Sequence, residues 1–317
     1  MRLTILGLIS SLTFACGPTS SGDVDSGGNN NGTVDSGPSN MWPDARVNFT
    51  DAGPAEACGK MDIVFVIDNS GSMGQEQDNL ATNFPLFINV LDNFDNELDY
   101  RVGVTTTGKD YNYTMTLPGI GSIPASTSGG DNGELLQRCD MTRRWVEPGD
   151  PNVADTFACA AQVGTSGPAD EMPLASLKLA LDDRIADGTN AGFLRDDALL
   201  AIVILTDEDD CSYEQSVSLG FTESLCSSQM EPVSSYSDFL TNLTGDAGRW
   251  AVATIAGPTD CSSEFGNAAE ATRLKDFTNI AGANGVFSSI CDGDLAAALQ
   301  TALETFDTAC NDFPPID

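Results

Sequence analysis

Three short runs of almost uninterrupted apolar residues constrain this chain more than any other feature: Asp62-Ile-Val-Phe-Val-Ile67, Ala198-Leu-Leu-Ala-Ile-Val-Ile-Leu205 and Trp250-Ala-Val-Ala-Thr-Ile-Ala256. A strand with one wet face alternates apolar and polar residues. A run without alternation, rich in β-branched residues, predicts a strand covered on both faces. Tyr100-Arg-Val-Gly-Val-Thr-Thr106 predicts another strand, and 285–289 a short edge strand. Helical spacing of apolar residues falls between them. It predicts helices over 74–93 (Leu80, Phe84, Phe87, Ile88, Leu91), 151–163, 173–187 (Leu174, Leu177, Leu179, Leu181), 234–243, 267–281 and 293–308 (Leu295, Leu299, Leu303, Phe306). Alternating strands and helices predict an α/β fold with a doubly wound, mostly parallel sheet flanked by helices. Residues 107–150 break the alternation with Gly, Ser and Pro clusters. They predict a surface insertion, or a hairpin plus loop, pinned by Cys139. The folded domain is expected over 57–317.

Charge and composition exclude several classes of function. The chain of 317 residues has a formal net charge of -33, so nucleic acid and anionic membrane surface are repelled. It contains no histidine. His-based triads, His zinc sites and imidazole general bases are therefore excluded. Metal binding is left to carboxylate, hydroxyl and carbonyl oxygens, which suit Mg²⁺, Ca²⁺ or Mn²⁺.

The N-terminus reads as a processing signal. Met1-Arg2 is a short positive start, and Leu3 to Ala15 is an apolar stretch too short to span a bilayer. It ends Ala15-Cys16-Gly17, which resembles the bacterial lipoprotein processing site. The resemblance implies a signal peptide over 1–15, lipid on Cys16 and a place in the bacterial cell envelope. Gly17, rather than Asp, after Cys16 favours the outer membrane over the inner. Residues 16–56, rich in Gly, Ser, Asn, Asp and Pro, predict a flexible linker.

Nine cysteines less Cys16 leave an even set, which suits disulfides in an exported chain. Spacing favours Cys211–Cys226, Cys139–Cys159 and Cys261–Cys291. Cys58–Cys310 then ties the two ends of the domain. None has C-x-x-C spacing, which argues against zinc and thioredoxin-like redox chemistry.

The first buried strand runs into Asp68-Asn-Ser70-Gly-Ser72-Met73-Gly74. Ligands of open α/β sheets bind beyond the carboxyl ends of strands. One carboxylate and two hydroxyls on a turn loosened by Gly71 and Gly74 suit a small hard cation. The second buried run ends Leu205-Thr206-Asp207-Glu208, and its strand is expected to neighbour the first. Asp209 and Asp210 are expected to be solvated or held by the local disulfide loop.

Asp68-x-Ser70-x-Ser72 after a buried strand resembles the metal-ion-dependent adhesion site of von Willebrand factor type A domains. The resemblance covers roughly 57–310. It implies Mg²⁺, with Ca²⁺ or Mn²⁺ as alternatives, held by Asp68, Ser70, Ser72, a threonine from a later loop and Asp207. Thr165 is the candidate threonine; Glu171 or Asp170 is the alternative, with more charge and a lean toward Ca²⁺. The resemblance implies a non-enzymatic binding module whose protein partner completes the cation's shell with an acidic side chain. The competing readings are an envelope scaffold with a vestigial site and a metal-assisted hydrolase. The hydrolase lacks a base for Ser70 and a G-x-S-x-G turn.

Overall fold

The computed structural model describes residues 58–92, 98–213, 217–221, 223–224, 226, 230–263, 266–293 and 295–315. Residues 1–15, read as a signal peptide, Cys16 and the expected linker to residue 56 lie outside the described residues. Five strands form the central sheet: β1 (Lys60–Ile67), β2 (Asp99–Thr106), β5 (Leu199–Leu205), β7 (Trp250–Ala256) and β10 (Gly285–Ser289). Their order is β10-β7-β5-β1-β2, and every pairing is parallel. The first two apolar runs are thus neighbours, with Ile67 beside Leu205 in register.

Successive side chains of a strand point to opposite faces. Ile63, Phe65 and Ile67 join one core with Phe84, Phe87, Phe157, Leu299 and Phe306. These come from α1 (Gly74–Asp92), α2 (Val153–Ala161) and α7 (Leu295–Asn311). Val64 and Val66 join the other core with Leu174, Leu177, Tyr236, Leu240 and Phe277. Those belong to α3 (Pro173–Leu181), α5 (Val233–Thr244) and α6 (Thr272–Ile280). Double coverage is why β1, β5 and β7 carry no alternation. Among the described residues no helix is long and apolar enough to cross a membrane.

All four disulfides follow the expected pairing: Cys58–Cys310, Cys139–Cys159, Cys211–Cys226 and Cys261–Cys291. Several boundaries differ from expectation. The helix expected over 173–187 stops at Leu181 and resumes as α4 (Asp183–Ala186), because Asp182 leaves helical geometry at φ -116, ψ -80. The helix expected from 267 begins at Thr272. Residues before it are drawn into a hairpin of β8 (Cys261–Ser263) and β9 (Gly266–Ala268). Its Gly266 has φ 138, a backbone setting that suits glycine. Within 107–150 the hairpin alternative holds: β3 (Tyr111–Leu117) pairs antiparallel with β4 (Gly121–Thr127), and β6 (Ser218–Gly220) joins β3 in parallel.

Candidate metal centre

The chain leaves β1 for α1 on one side of the sheet, while β5 lies on β1's other flank. The crevice between β1 and β5 is the switch point in strand order, where α/β sheets bind ligands. Backbone bonds pin it: Asp68 N donates to Leu205 O at 2.9 Å, and Thr107 N to Ile67 O at 3.1 Å.

Asp68 is fully buried at this point. Its Oδ1 accepts from Ser70 N at 2.7 Å and its Oδ2 from the Thr206 hydroxyl at 2.7 Å. The Ser70 and Ser72 hydroxyls lie 3.1 Å apart. Ser72 also lies against the Asp207 carboxylate and counters the rise of its pKa. The structure therefore brings Asp68, Ser70, Ser72 and Asp207 together.

Thr165 makes no hydrogen bond to them among the described residues. It is exposed, and its Cγ2 sits 3.6 Å from where a Cβ on Gly74 would be. The reason is the path of its loop, which lies along the Asp68–Gly74 turn. Gln77 Nε2 donates to Asp68 O and Gly164 O, each at 2.8 Å, and its Oε1 accepts from Gly164 N at 2.9 Å. Gly167 N donates to Asn69 O at 2.8 Å. The residue that turns inward is Glu171, 1% exposed. Its Oε2 accepts from the buried Thr107 hydroxyl, and its carboxyl meets that of Asp68. Asp170 instead faces the disulfide, with Oδ1 3.6 Å from Cys226 Sγ. Asp170 and the two cysteines lie close enough to suggest a metal cluster, but the sulfurs are bonded to each other and offer no thiolate.

Neither Asp209 nor Asp210 is simply solvated; Asp210 is held by the disulfide loop as expected, accepting from Ser212 N at 3.2 Å and from the Ser212 hydroxyl, and both also accept from helix termini. Asp209 accepts from Arg273 N and Leu274 N at the start of α6. Asp210, 2% exposed, accepts from Leu174 N at the start of α3 and from the Arg273 guanidinium. Ser212 Oγ accepts from Ala175 N at 2.8 Å. These groups satisfy helix N-terminal amides that have no partner within the helix.

The electrostatics of the crevice are one-sided. Burial pushes the Glu171 carboxyl up to about 9, and the nearby Asp68 charge adds to the rise. Burial, then Asp68, pushes Asp207 up to about 6. Asp68, Glu76 and Glu208 are raised as well, each mainly by burial. Among the described residues none of these five carboxylates has a Lys or Arg partner. Asp207 Oδ1, Glu171 Oε1 and Glu76 Oε2 are buried with no hydrogen-bond partner. An unpaired buried acceptor is costly. A divalent cation answers both the charge and the orphaned oxygens, and the donor set is all oxygen, as a hard cation requires. The residues present fit such an ion.

Thr206, Thr107, Gln77 and Glu76 were not singled out in the sequence. Thr206 sits inside the Thr-Asp pair that was, so its position carried a signal. The others look like ordinary strand-end and first-turn polar residues.

No family model and no curated protein matches the sequence. Solved structures do. Proximal thread matrix protein 1 from the mussel byssus has 12% identity and a TM-score of 0.42, over 80% of this chain and 49% of that one. The same protein with a zinc-occupied MIDAS motif has 11% identity and a TM-score of 0.39, over 78% of this chain and 48% of that one. The pilus adhesin SpaC from Lactobacillus rhamnosus GG, in its open conformation, has 13% identity and a TM-score of 0.41, over 78% and 30%. The chain thus spans about half the length of the mussel protein, and less of the adhesin.

Proposed function

We propose that the chain is a metal-dependent binding module of the bacterial cell envelope, anchored by lipid on Cys16, that captures a protein partner through an acidic side chain. The observation that carries this reading is the convergence of the buried Asp68, Glu171 and Asp207 carboxylates and the buried Ser70 with the hydroxyl of exposed Ser72, with no Lys or Arg partner among the described residues. These five side chains would hold the ion. Glu171 takes the place assigned in the sequence to Thr165. Bound there, a divalent cation supplies a point of positive charge, reversing the local sign on a polyanion. That local reversal lets an acidic partner dock against a chain of net charge -33.

The chain's own residues do the positioning. Thr206 and the Ser70 amide occupy the Asp68 oxygens and set the orientation of its carboxyl. Thr107 holds Glu171 from beneath. Gln77 locks the 164–167 loop to the turn that carries the serines. What supports binding over hydrolysis is the setting of Ser70: its hydroxyl neighbours another hydroxyl, and no general base of the imidazole type exists in the chain.

The test is to pan a displayed random peptide library on the full chain in Mg²⁺ and elute with EDTA. The reading predicts eluted peptides that share an Asp or Glu, whose change to Asn or Gln abolishes binding. Equal recovery when EDTA is present throughout would contradict it. Release of the chain from membranes by Cys16→Ser tests the anchor; unchanged retention would refute it.

A further inference from the structure

We propose that the hairpin β3–β4, with Phe221 beside it, forms the apolar half of the ligand surface, and that the ligand is a protein segment carrying a carboxylate next to large apolar side chains. This deepens the metal-dependent reading and rests on it.

The hairpin rises from the rim of the candidate metal centre. Its two feet are Gly108 and Gly130, in backbone contact: a Cβ on Gly130 would lie 2.4 Å from Gly108 C. A Cβ on Gly108 would lie 3.2 Å from Oδ1 of Asn69, inside the Asp68–Ser72 turn. Whatever touches the turn has the hairpin next to it.

Its composition departs from the rest of residues 57–317. Tyr111 to Gly130 contains no charged residue, in a protein of net charge -33. Strand alternation sorts what it does contain. Tyr113 faces Ala125 and Met115 faces Ile123 across the ladder. Leu219 of β6 stands in register on the other side of Met115. Together they make one apolar face. The base of that face is buried with Tyr111, Val217 and Leu219, which pack on Met172 just after Glu171. Its outer end is bare: Ile120 is 73% exposed, Phe221 63% and Ile123 38%.

Charge decides what can cover it. Glu208, directly after Asp207, and Asp170, directly before Glu171, add negative charge next to the crevice, which repels an incoming carboxylate. Along β3 and β4 themselves an acidic ligand meets no like charge; the carboxylates that border them among the described residues include Asp110, held by Gly130 N at the foot, and Glu223, held by Gly220 N beside Phe221. Its carboxylate is drawn to the cation while its apolar flank lies on Ile120, Ile123 and Phe221. Addition of a further strand to β4 is opposed by Pro124. Thr114 N donates to Val217 O on the β6 side, so its partner Pro124 directs its ring nitrogen outward, where the edge lacks a donor. Side-chain contact, rather than strand pairing, is the mode.

The experiment uses the EDTA-eluted peptides on the full chain and on Ile120→Ser/Ile123→Ser/Phe221→Ser. The expected result is that apolar residues recur beside the peptide acid and that the variant binds about tenfold or more weakly, the loss typical of a central apolar anchor. Its Mg²⁺-induced thermal shift should match the parent's, which separates docking from folding and from metal binding. Equal affinity of the variant overturns the hairpin assignment and leaves the metal reading standing. Absence of any EDTA-elutable peptide from either form overturns both. A dimer in sedimentation velocity that the same variant dissolves gives the face to a second copy and overturns the proposal.

Discussion

Glu171→Gln should stabilise the metal-free protein, and the gain should depend on pH. Glu171 is 1% exposed, and burial raises its pKa from 4.5 to about 9. A raised acid contributes its full stability below its unfolded value and loses it as pH climbs toward the folded value. Between pH 4.5 and 7.5 the unfolded chain releases this proton while the folded chain keeps it. At about 1.4 kcal/mol per pH unit, the difference reaches about 4 kcal/mol at pH 7.5. Glutamine has the same shape, still accepts from Thr107 and does not titrate. In EDTA the variant should equal the parent near pH 4.5 and exceed it by up to about 4 kcal/mol at pH 7.5. That corresponds to about 10 °C in melting temperature for a domain of this size. Melting curves across this pH range measure it. Saturating Mg²⁺ should reverse the order, because the ion stabilises only the protein that binds it. A variant less stable than the parent in EDTA at pH 7.5, or a difference that ignores pH, refutes the reasoning.

Three further outcomes follow from the same contacts. Arg273→Met removes the only cation against buried Asp210 among the described residues and should cost about 3–5 kcal/mol in urea denaturation. Replacing Cys58 and Cys310 by serine frees a closure of sequence separation 252; loss approaches about 5 kcal/mol in the chain-entropy account, seen as a melting point lowered by 10 °C or so. Phe65→Ala empties the centre of a cluster where Phe65 lies 5.1 Å from Phe84 and Phe157 and 5.4 Å from Phe87. It should cost about 3–5 kcal/mol by the same denaturation, with the Mg²⁺ response retained in what remains folded.

Much of the fold was legible because its signals are local. A strand buried on both faces has no room for polar residues, so β1, β5 and β7 stand out as apolar runs. Asp68, Ser70 and Ser72 sit within one turn, and Asp207 follows a second run. Glu171 was legible only as one of two alternatives to Thr165. The choice depends on which residue of the 163–173 loop turns inward, and that is set by contacts to Gln77 and Asn69, distant in sequence. The capping roles of Asp209 and Asp210 were hidden for the same reason, since the amides of α6 that Asp209 caps lie far along the chain. The hairpin β3–β4 alternates Tyr, Met and Leu with Asn and Thr, a weaker pattern than a covered strand's, and its partner β6 is only three residues long.

The central claim is that Asp68, Ser70, Ser72, Glu171 and Asp207 hold one divalent cation. Calorimetric titration of Mg²⁺, and in parallel Ca²⁺ and Mn²⁺, into the EDTA-stripped full chain tests it most directly. The account predicts saturable binding of one ion per chain at this site, abolished in Ser70→Ala/Ser72→Ala while the variant's melting curve in EDTA stays within about 1 kcal/mol of the parent's. No saturable heat with any of the three ions, or identical isotherms for parent and variant, would contradict it.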